Sequence, residues 1–340
     1  MKHRIVRCLF VAIILWSVYP AGAYGQNEKE KIELAKKEKR VNWYGSTNVE
    51  DAQAILGEVK KKYPFIEINR FRGNNANVLN KMNAEARGGA LSVDVIDVDG
   101  FYVAQILKGK YWTEYRSPEL KPYPSKLGGS KGLWSSFFVL PNVVIFNTNL
   151  VNPKDAPKSY NEFLDPKWKG KLAISDVGVP WYHGMLQYMG SEKGRAYMKK
   201  LAAQNVIIAP GGNRNMVELT MAGEYPIAIG AFSHRVGQYQ KKGAPMGWMK
   251  DDVIIVTPQA IGISHHGKSP NAAKLIVDYM LSMEGQSLLR KLGRVPAHPK
   301  VDADPAELTQ GRQFFYSDIV DGGARFNELN AEFREIFGIR

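Results

Sequence analysis

The stretch Val41-Asn42-Trp43-Tyr44-Gly45-Ser46-Thr47-Asn48 decides the fold, because it leads from a short apolar segment through small polar residues to an amphipathic helix. The helix that follows carries apolar side chains spaced to lie on one face, at Ala52, Ile55, Leu56, Val59 and Tyr63. Thr47 followed by Glu50 has the spacing of a capping box, which predicts that the helix begins there. A buried strand, a turn and a helix form the repeating unit of an α/β protein.

The same alternation continues along the rest of the chain. The predicted strands lie at 66–71, 93–98, 172–174, 206–209 and 227–229. The predicted helices lie at 78–86, 181–201, 215–222, 233–242 and 271–281, the first of them closed by two glycines. This order predicts mostly parallel sheets flanked by helices.

Two segments are predicted to cross between two lobes. Residues 137–146 are strand-like around Pro141, and residues 253–256 bring the chain back, followed by a short strand at 260–264. A chain that leaves one lobe, builds another and returns predicts a ligand cleft between the lobes. The expected boundaries are lobe 1 over 26–140 and 253–300, lobe 2 over 141–252, and a helical tail over 301–340.

Residues 1–25 are predicted to form a secretory signal peptide. A basic start with Lys2, Arg4 and Arg7 precedes an apolar run over 8–18, and Ala21-Gly22-Ala23 supplies the small residues of a cleavage site. The run is much shorter than the ~20 residues that a membrane-spanning helix needs. We therefore expect cleavage after Ala23 or Gly25 and export to the periplasm.

Composition restricts the class of function. The formal net charge is +13, but the lysines are scattered over helices and no nucleic-acid motif occurs, so we expect no nucleic-acid partner. Cys8 is the only cysteine and lies in the predicted signal peptide, which excludes thiolate metal sites and cysteine nucleophiles from the exported chain. No Gly-x-Ser-x-Gly elbow, phosphate-binding loop or His-Glu-x-x-His helix occurs. We therefore expect neither an enzyme nor a cofactor.

Several segments together resemble the extracellular solute-binding proteins of the ferric-iron-binding type. They include FNTN at 146–149, SYNEFLDPKWKGK at 159–171, GEYPIAI at 223–229 and the run over 269–286, besides 41–46 and 93–95. The resemblance covers residues from about 40 to 298. It implies a type II periplasmic-binding fold and a monomer whose two lobes close over a small-molecule ligand. It also implies an ABC importer permease in the inner membrane as the partner.

The resemblance further implies where a metal ion would bind. The iron-binding members use a histidine, a glutamate and two adjacent tyrosines, beside a synergistic anion. This chain carries Asn48, Asp99 and the pair Ser233-His234 at those positions. Without phenolates, Asp99 and His234 are too few ligands for tight ferric-iron binding. We therefore expect no metal site, and ferric-iron or other metal import stays the alternative.

Loops that lead into helices from the cleft side supply the candidate ligand-binding residues. Free backbone N–H groups and the positive end of a helix attract anions, and an arginine fork matches a carboxylate or phosphate. Ordinary helix capping and surface arginines are the competing explanation. The candidates are Ser46, Thr47, Asn48, Arg72, Asp99, Asp176, Gly178, Trp181, Asn213, Arg214, Ser233, His234 and Arg235.

These residues predict a small, anionic organic ligand. Trp181 either lines a pocket for its organic part or packs the start of a helix. The predicted protein is therefore the periplasmic binding component of an ABC-type importer, and a ligand-binding sensory adaptor is a further alternative.

Overall fold

The structure, a computed structural model, describes residues 28–249 and 253–339, so the predicted signal peptide lies outside the described residues. The α-helices are α1 (Glu28–Glu38), α2 (Val49–Lys62), α3 (Asn75–Arg87), α4 (Val103–Lys108), α5 (Val179–Met189), α6 (Ser191–Ala202), α7 (Gly212–Ala222), α8 (Ser233–Gln240), α9 (Pro270–Leu281), α10 (Met283–Lys291), α11 (Ile319–Ala324) and α12 (Phe326–Phe337). The strands are β1 (Arg40–Gly45), β2 (Glu67–Arg72), β3 (Val95–Asp99), β4 (Ser135–Asn147), β5 (Leu172–Ser175), β6 (Ile207–Ala209), β7 (Ile227–Phe232), β8 (Met246–Trp248), β9 (Ile254–Ile263), β10 (Val295–Pro296) and β11 (Phe314–Tyr316). None of the described helices is long and apolar enough to cross a membrane.

One continuous sheet runs through the described residues in the order β2-β1-β3-β9-β4-β7-β5-β6. Strands β2, β1 and β3 are parallel to one another, and so are β7, β5 and β6. The two long central strands β9 and β4 are antiparallel to each other and to their outer neighbours β3 and β7. We call β2-β1-β3 with its helices the first half and β7-β5-β6 with its helices the second half. The predicted α/β architecture is confirmed, and its two parallel groups of strands belong to one continuous sheet through the central strands.

The central strands are covered on both faces. Every residue of β4 and β9 is buried, which explains why neither shows the alternating pattern of a half-exposed strand. The prediction of two short strands at 253–256 and 260–264 is wrong, because β9 continues through Pro258. Pro258 lies beside a register shift in β4 between Ser136 and Phe138, a place where a strand tolerates proline.

Two helix predictions for the second half are also corrected. The single helix expected over 181–201 is the pair α5 and α6, separated at Gly190, whose φ of 82° suits glycine. Helix α7 begins at Gly212 rather than at residue 215. Asn213 and Arg214 therefore lie in the first turn of this helix and not in the loop before it.

The tail after residue 300 is not wholly helical. Strand β11 pairs in parallel with β9 and extends the sheet. Helix α11 contacts the first half, where Gln105 Nε2 donates to the Gly323 carbonyl at 3.0 Å. Helix α12 contacts the second half, where the rings of Phe333 and Tyr182 lie 5.6 Å apart. The tail thus connects the two halves outside the central strands.

Candidate functional site

The segment before α2 is held by Asp97, a fully buried carboxylate on β3. Asp97 Oδ1 accepts hydrogen bonds from Thr47 Oγ1 at 2.8 Å and from the N–H groups of Thr47 and Ser46 at 3.1 and 3.2 Å. Asp97 Oδ2 accepts from Trp43 Nε1 at 2.8 Å and pairs with Arg70 Nη1 at 2.8 Å. Ser46 and Thr47, both predicted ligand-binding residues, therefore use these donors within the protein.

A glycine makes this arrangement possible. A Cβ atom on Gly45 would lie 1.6 Å from Asp97 Oδ2, so a side chain at this position would displace the carboxylate. Ser46 Oγ in turn accepts a hydrogen bond from Gln259 Nε2 on the central strand β9 at 2.9 Å. The start of the first half is thereby fixed to the centre of the sheet.

The residue that caps α2 is Asn48, so the capping box predicted from Thr47 and Glu50 is wrong. Asn48 Oδ1 accepts a hydrogen bond from the Asp51 N–H at 2.8 Å. Thr47 is not available as the cap because its hydroxyl is bound to Asp97. Asn48 Nδ2 also donates to Asp51 Oδ2 at 3.0 Å, which orients this carboxylate.

Asp51 begins a chain of contacts that joins α2 to α8. Asp51 Oδ2 pairs with Arg294 Nε at 2.6 Å, and Arg294 Nη1 lies 3.0 Å from His234 Nε2. All three residues are buried. Two predicted ligand-binding loops, one from each half, are connected in this way. Sequence reasoning missed Asp51 and Arg294, because neither belongs to a motif or to a loop at the carboxyl end of a strand.

The start of α8 has unsatisfied polar groups. Its N-cap residue, Phe232, provides no side-chain cap. Ser233 Oγ and His234 Nδ1 are buried, and neither has a hydrogen-bond partner among the described residues. Arg235 is half-buried, and Nη1 lies 3.5 Å from the neutral Gln238 Oε1. The described protein thus leaves the Ser233 hydroxyl and His234 Nδ1 without hydrogen-bond partners.

The histidine in this group is neutral. Burial lowers the pKa of His234 well below its usual range, and the nearby charges of Arg294 and Arg235 lower it further. Its ring also lies 6.0 Å from that of Phe232 in a stacked arrangement. The imidazole therefore has one donor nitrogen and one acceptor nitrogen at neutral pH.

Asp99 ends β3 and has no ion-pair partner in the described part of the chain. Its Oδ1 accepts from the Phe101 N–H at 3.0 Å, and its own N–H donates to Asn75 Oδ1 at 2.9 Å. Burial raises the pKa of Asp99 to about 6. Arg72, at the end of β2 and separated from β3 by β1, is exposed.

The predicted anion site at α7 is occupied by a carboxylate of the protein. Asp176 accepts from the N–H groups of Gly211 and Gly212 at 3.1 and 3.0 Å. Asn213 joins the start of α7 to the end of β7, since Nδ2 donates to the Gly230 carbonyl at 2.6 Å. Arg214 is exposed and pairs with Glu218 Oε1 at 2.9 Å, four residues along the same helix.

Gly178 and Trp181 lie at the start of α5. Gly178 is the N-cap residue, and a Cβ atom there would lie 3.1 Å from the ring of Phe333. Trp181 is 2% exposed and packs in the core, with its ring 6.3 Å from that of Tyr160. In this structure Trp181 packs the start of a helix, which was one of its two predicted roles.

The described residues contain no group of three or more His, Cys, Asp or Glu side chains that could hold a metal ion. Asp99 and His234 are the two potential metal ligands left at the positions of the iron site. No third His, Cys, Asp or Glu side chain among the described residues completes a metal site with them. The donor set at the start of α8 consists of hydroxyl, imidazole and guanidinium groups, which suits an anion better than a hard cation.

Comparison with known proteins places the chain in a family. Residues 92–320 match the bacterial extracellular solute-binding proteins. The chain belongs to this family. The resemblance stated from sequence is therefore confirmed, and so is a solute-binding role.

Among curated proteins, this solute-binding protein is similar to proteins named for different solutes. It is 28% identical over 160 residues to a periplasmic protein of Salmonella typhimurium that is proposed to bind 2-aminoethylphosphonate. That match covers 44% of this chain and 46% of the relative, so it spans about half of each protein. Iron uptake protein A1 of Synechocystis is 20% identical over 240 residues, which cover 67% of this chain and 66% of that protein.

Solved structures extend the comparison to most of the chain. Iron-bound HitA from Pseudomonas aeruginosa superimposes with a TM-score of 0.73 at 19% identity, over 87% of this chain and 99% of HitA. The periplasmic binding protein AfuA from Actinobacillus pleuropneumoniae, solved with fructose 6-phosphate, gives 0.73 at 20% identity, over 88% and 99%. At such identities the likeness shows the fold alone, and it confirms the predicted type II periplasmic-binding fold.

Proposed function

We propose that this solute-binding protein captures a small organic anion in the periplasm and delivers it to the permease of an ABC-type importer. The proposal includes a monomer whose lobes, over 26–140 with 253–300 and over 141–252, close on the ligand. It also includes export through the signal peptide predicted over residues 1–25. Ligand binding would favour the closed state, because in that state both lobes contact the ligand.

The unsatisfied start of α8 carries this proposal. Ser233 Oγ is fully buried and has no hydrogen-bond partner among the described residues. No side chain caps the N–H groups in the first turn of α8. Arg235 adds a positive charge and forms no ion pair with an acidic side chain of the described residues. An oxyanion would satisfy the hydroxyl and interact favourably with both the helix end and the guanidinium.

The names of the relatives support a phosphonate, a phosphate monoester or a carboxylate as the anionic group. One relative is proposed to bind 2-aminoethylphosphonate, and a protein of the same fold has been solved with fructose 6-phosphate. Both ligands present several oxygen acceptors on one small group. The α8 donors suit that group, and the remainder of the ligand sets specificity elsewhere in the cleft.

Ferric iron is the second candidate, because the similarity to iron uptake protein A1 spans 240 residues. The described chain offers Asp99 and His234 but no third metal ligand beside them. Iron could then bind only with an anion that supplies most of the ligands, such as citrate. A test must therefore present iron both with and without such an anion.

Calorimetric titration of the exported chain tests the proposed ligand class. The panel consists of 2-aminoethylphosphonate, fructose 6-phosphate, citrate, ferric citrate and ferric ion alone. We expect binding of at least one of the three organic anions without iron. Tight binding of ferric ion, with no signal from the organic anions, would sink the proposal.

Two arginine variants locate the anionic group. Arg235→Gln should weaken binding by about tenfold or more, since a hydrogen bond to a charged group contributes about 1.5–3 kcal/mol. Arg214→Gln is the matched control, because Arg214 is exposed and already paired with Glu218. Equal losses in the two variants would place the ligand outside the α8 start.

Lobe closure and delivery need separate measurements. Small-angle scattering should show a smaller radius of gyration with saturating ligand, and an unchanged radius would contradict closure.

NMR of the released ligand should show it chemically unchanged, as expected of a protein that is not an enzyme. Genes for a permease and an ATPase beside this gene favour import, whereas a neighbouring sensor gene favours the sensory adaptor.

A further inference from the structure

The contact between Arg294 and His234 determines which ring nitrogen of His234 carries a proton. Arg294 Nη1 lies 3.0 Å from His234 Nε2, and a guanidinium group can only donate. His234 Nε2 must therefore accept. In a neutral imidazole with an accepting Nε2, the proton is on Nδ1.

The protonated nitrogen of His234 has no partner in the described protein. His234 is 5% exposed, and its Nδ1 atom is buried without a hydrogen bond among residues 28–249 and 253–339. The adjacent Ser233 hydroxyl is also buried without a hydrogen-bond partner among the described residues. A buried donor without an acceptor destabilises the folded protein, and a bound oxygen atom would remove that cost.

Arg294 is itself held from the first half of the protein. Its Nε pairs with Asp51 Oδ2 on α2 at 2.6 Å, and its guanidinium carbon lies 4.9 Å from the centre of the Phe138 ring. Its side chain is 7% exposed, so the position of the guanidinium group is fixed by these contacts. The orientation of His234, in the second half, thus depends on Asp51 through Arg294.

We propose that Arg294 is a positioning residue, which holds His234 with its proton on Nδ1 so that Nδ1–H and the Ser233 hydroxyl donate to one deprotonated oxyanion of the ligand. The oxyanion belongs to a phosphonate, phosphate or carboxylate group. This inference rests on the proposed function, since it names how that ligand is recognised. It also explains why an arginine outside the cleft loops contacts a residue that follows β7.

The arrangement requires a neutral His234. The charged groups that face it are Arg294, from the segment after α10, and Arg235 on α8 itself, with Asp51 behind Arg294. Protonation of Nε2 would bring two cations together and break the Arg294 contact.

Nitrogen-15 NMR of the histidine rings in the ligand-free exported chain tests the first part. The His234 signals, assigned by comparison with His234→Gln, should show the neutral form with the proton on Nδ1. Arg294→Met should mix the tautomers and raise the pKa of His234, because a positive neighbour is lost. Arg290→Met, on the exposed face of α10, is the matched control and should change neither. A proton on Nε2 in the unaltered protein would overturn the proposal.

Binding measurements with 2-aminoethylphosphonate and fructose 6-phosphate test the second part. Arg294→Met should weaken binding about tenfold, and Arg294→Lys, which keeps the charge and folds more readily, should lose less. His234→Asn retains a donor near the Nδ1 position, whereas His234→Gln retains a polar group near Nε2, so the asparagine variant should bind more tightly. The Nδ1 signal should also shift when a probe binds.

The outcomes separate this inference from the proposed function. Unaltered affinity in Arg294→Met, with no shift of the Nδ1 signal on binding, would overturn the positioning role while leaving organic-anion binding intact. Failure of every organic anion to bind the unaltered protein would remove the ligand contact together with the proposed function. Whether or not an anion binds, the tautomer of His234 in the ligand-free protein shows whether Arg294 holds the proton on Nδ1.

Discussion

The starts of α2 and α8 each carry a serine directly after a strand, but they differ in how their polar groups are satisfied. Before α2, Asp97 accepts from Ser46, Thr47, Trp43 and Arg70, and Asn48 caps the helix. At α8 there is no side-chain cap, and the Ser233 hydroxyl is buried without a partner among the described residues. The Ser46 and Thr47 donors at the first start are satisfied within the protein, although Arg70 Nε and Nη2 beside them are buried without a partner among the described residues, and at the second start the hydroxyl lacks an acceptor.

This difference shows that small polar residues before a helix do not by themselves identify an anion site. The start of α7 supports the same conclusion, because the carboxylate of Asp176 already occupies its N–H groups. At α8, by contrast, the hydroxyl of the first helical residue is buried without an internal acceptor. Unsatisfied buried groups are costly, and proteins tolerate them where a ligand supplies the missing partner.

The largest expected effect comes from removing the acceptor of the first half. Asp97→Asn should lower the free energy of unfolding by about 3–5 kcal/mol, because it leaves the charge of Arg70 buried and unpaired. Urea denaturation of the ligand-free protein measures this loss. Asp155→Asn, at an exposed position, is the control and should change stability by less than about 0.5 kcal/mol. A loss at Asp97 no larger than that of the control would contradict the structural role of this carboxylate.

Most of the fold could be predicted from the sequence, because strand and helix periodicity is local. The strand through Pro141 and the parallel strands on either side were found in this way. The break at Gly190 and the continuation of β9 through Pro258 were not found, because tertiary packing decides both. Local pattern does not reveal which neighbouring strand covers a segment.

The site was less accessible to sequence reasoning. Ser233 and His234 were identified by the family resemblance, at the positions of its tyrosine pair, and Arg235 as an adjacent arginine, and the structure places all three at the start of α8. Arg294 was missed because its contacts lie 243 and 60 residues away along the chain. Arg214 was a candidate by position, but it points to solvent and pairs with Glu218. Burial and the direction of a side chain come from packing, which no local motif encodes.

A smaller effect is expected at Asp99, the residue of the first half that resembles α8 in lacking a charged partner. Burial raises the pKa of Asp99 to about 6, so the folded protein disfavours its ionised form. The resulting penalty is absent below the unfolded pKa near 4, grows as the pH rises and is complete above about 6. Asp99→Asn should therefore stabilise the ligand-free protein by roughly 1–2 kcal/mol at pH 7, less than full linkage because Asp99 is partly exposed.

Thermal unfolding of Asp99→Asn and the unaltered protein from pH 4 to pH 8 checks this expectation. The stability difference should be small at pH 4 and should increase toward pH 7. A difference that does not vary with pH would mean that Asp99 is solvated and ionises normally. In that case Asp99 would not resemble the start of α8, and the contrast between the two helix starts would become stronger.

The smallest effects provide the most direct test of the contrast, because they have opposite signs. Thr47→Val removes a satisfied hydroxyl and leaves Asp97 short of one donor, so it should destabilise the ligand-free protein by about 1 kcal/mol. Ser233→Ala removes a buried hydroxyl without a described partner and should stabilise it by up to about 1 kcal/mol. Ligand affinity should show the reverse order, with the larger loss in Ser233→Ala, because only that hydroxyl is free to donate. Chemical denaturation and titration with the anion panel measure both quantities. If the two variants change stability in the same direction, the Ser233 hydroxyl has a hydrogen-bond partner in solution. The distinction between a helix start with satisfied hydroxyls and one with an unsatisfied hydroxyl then fails.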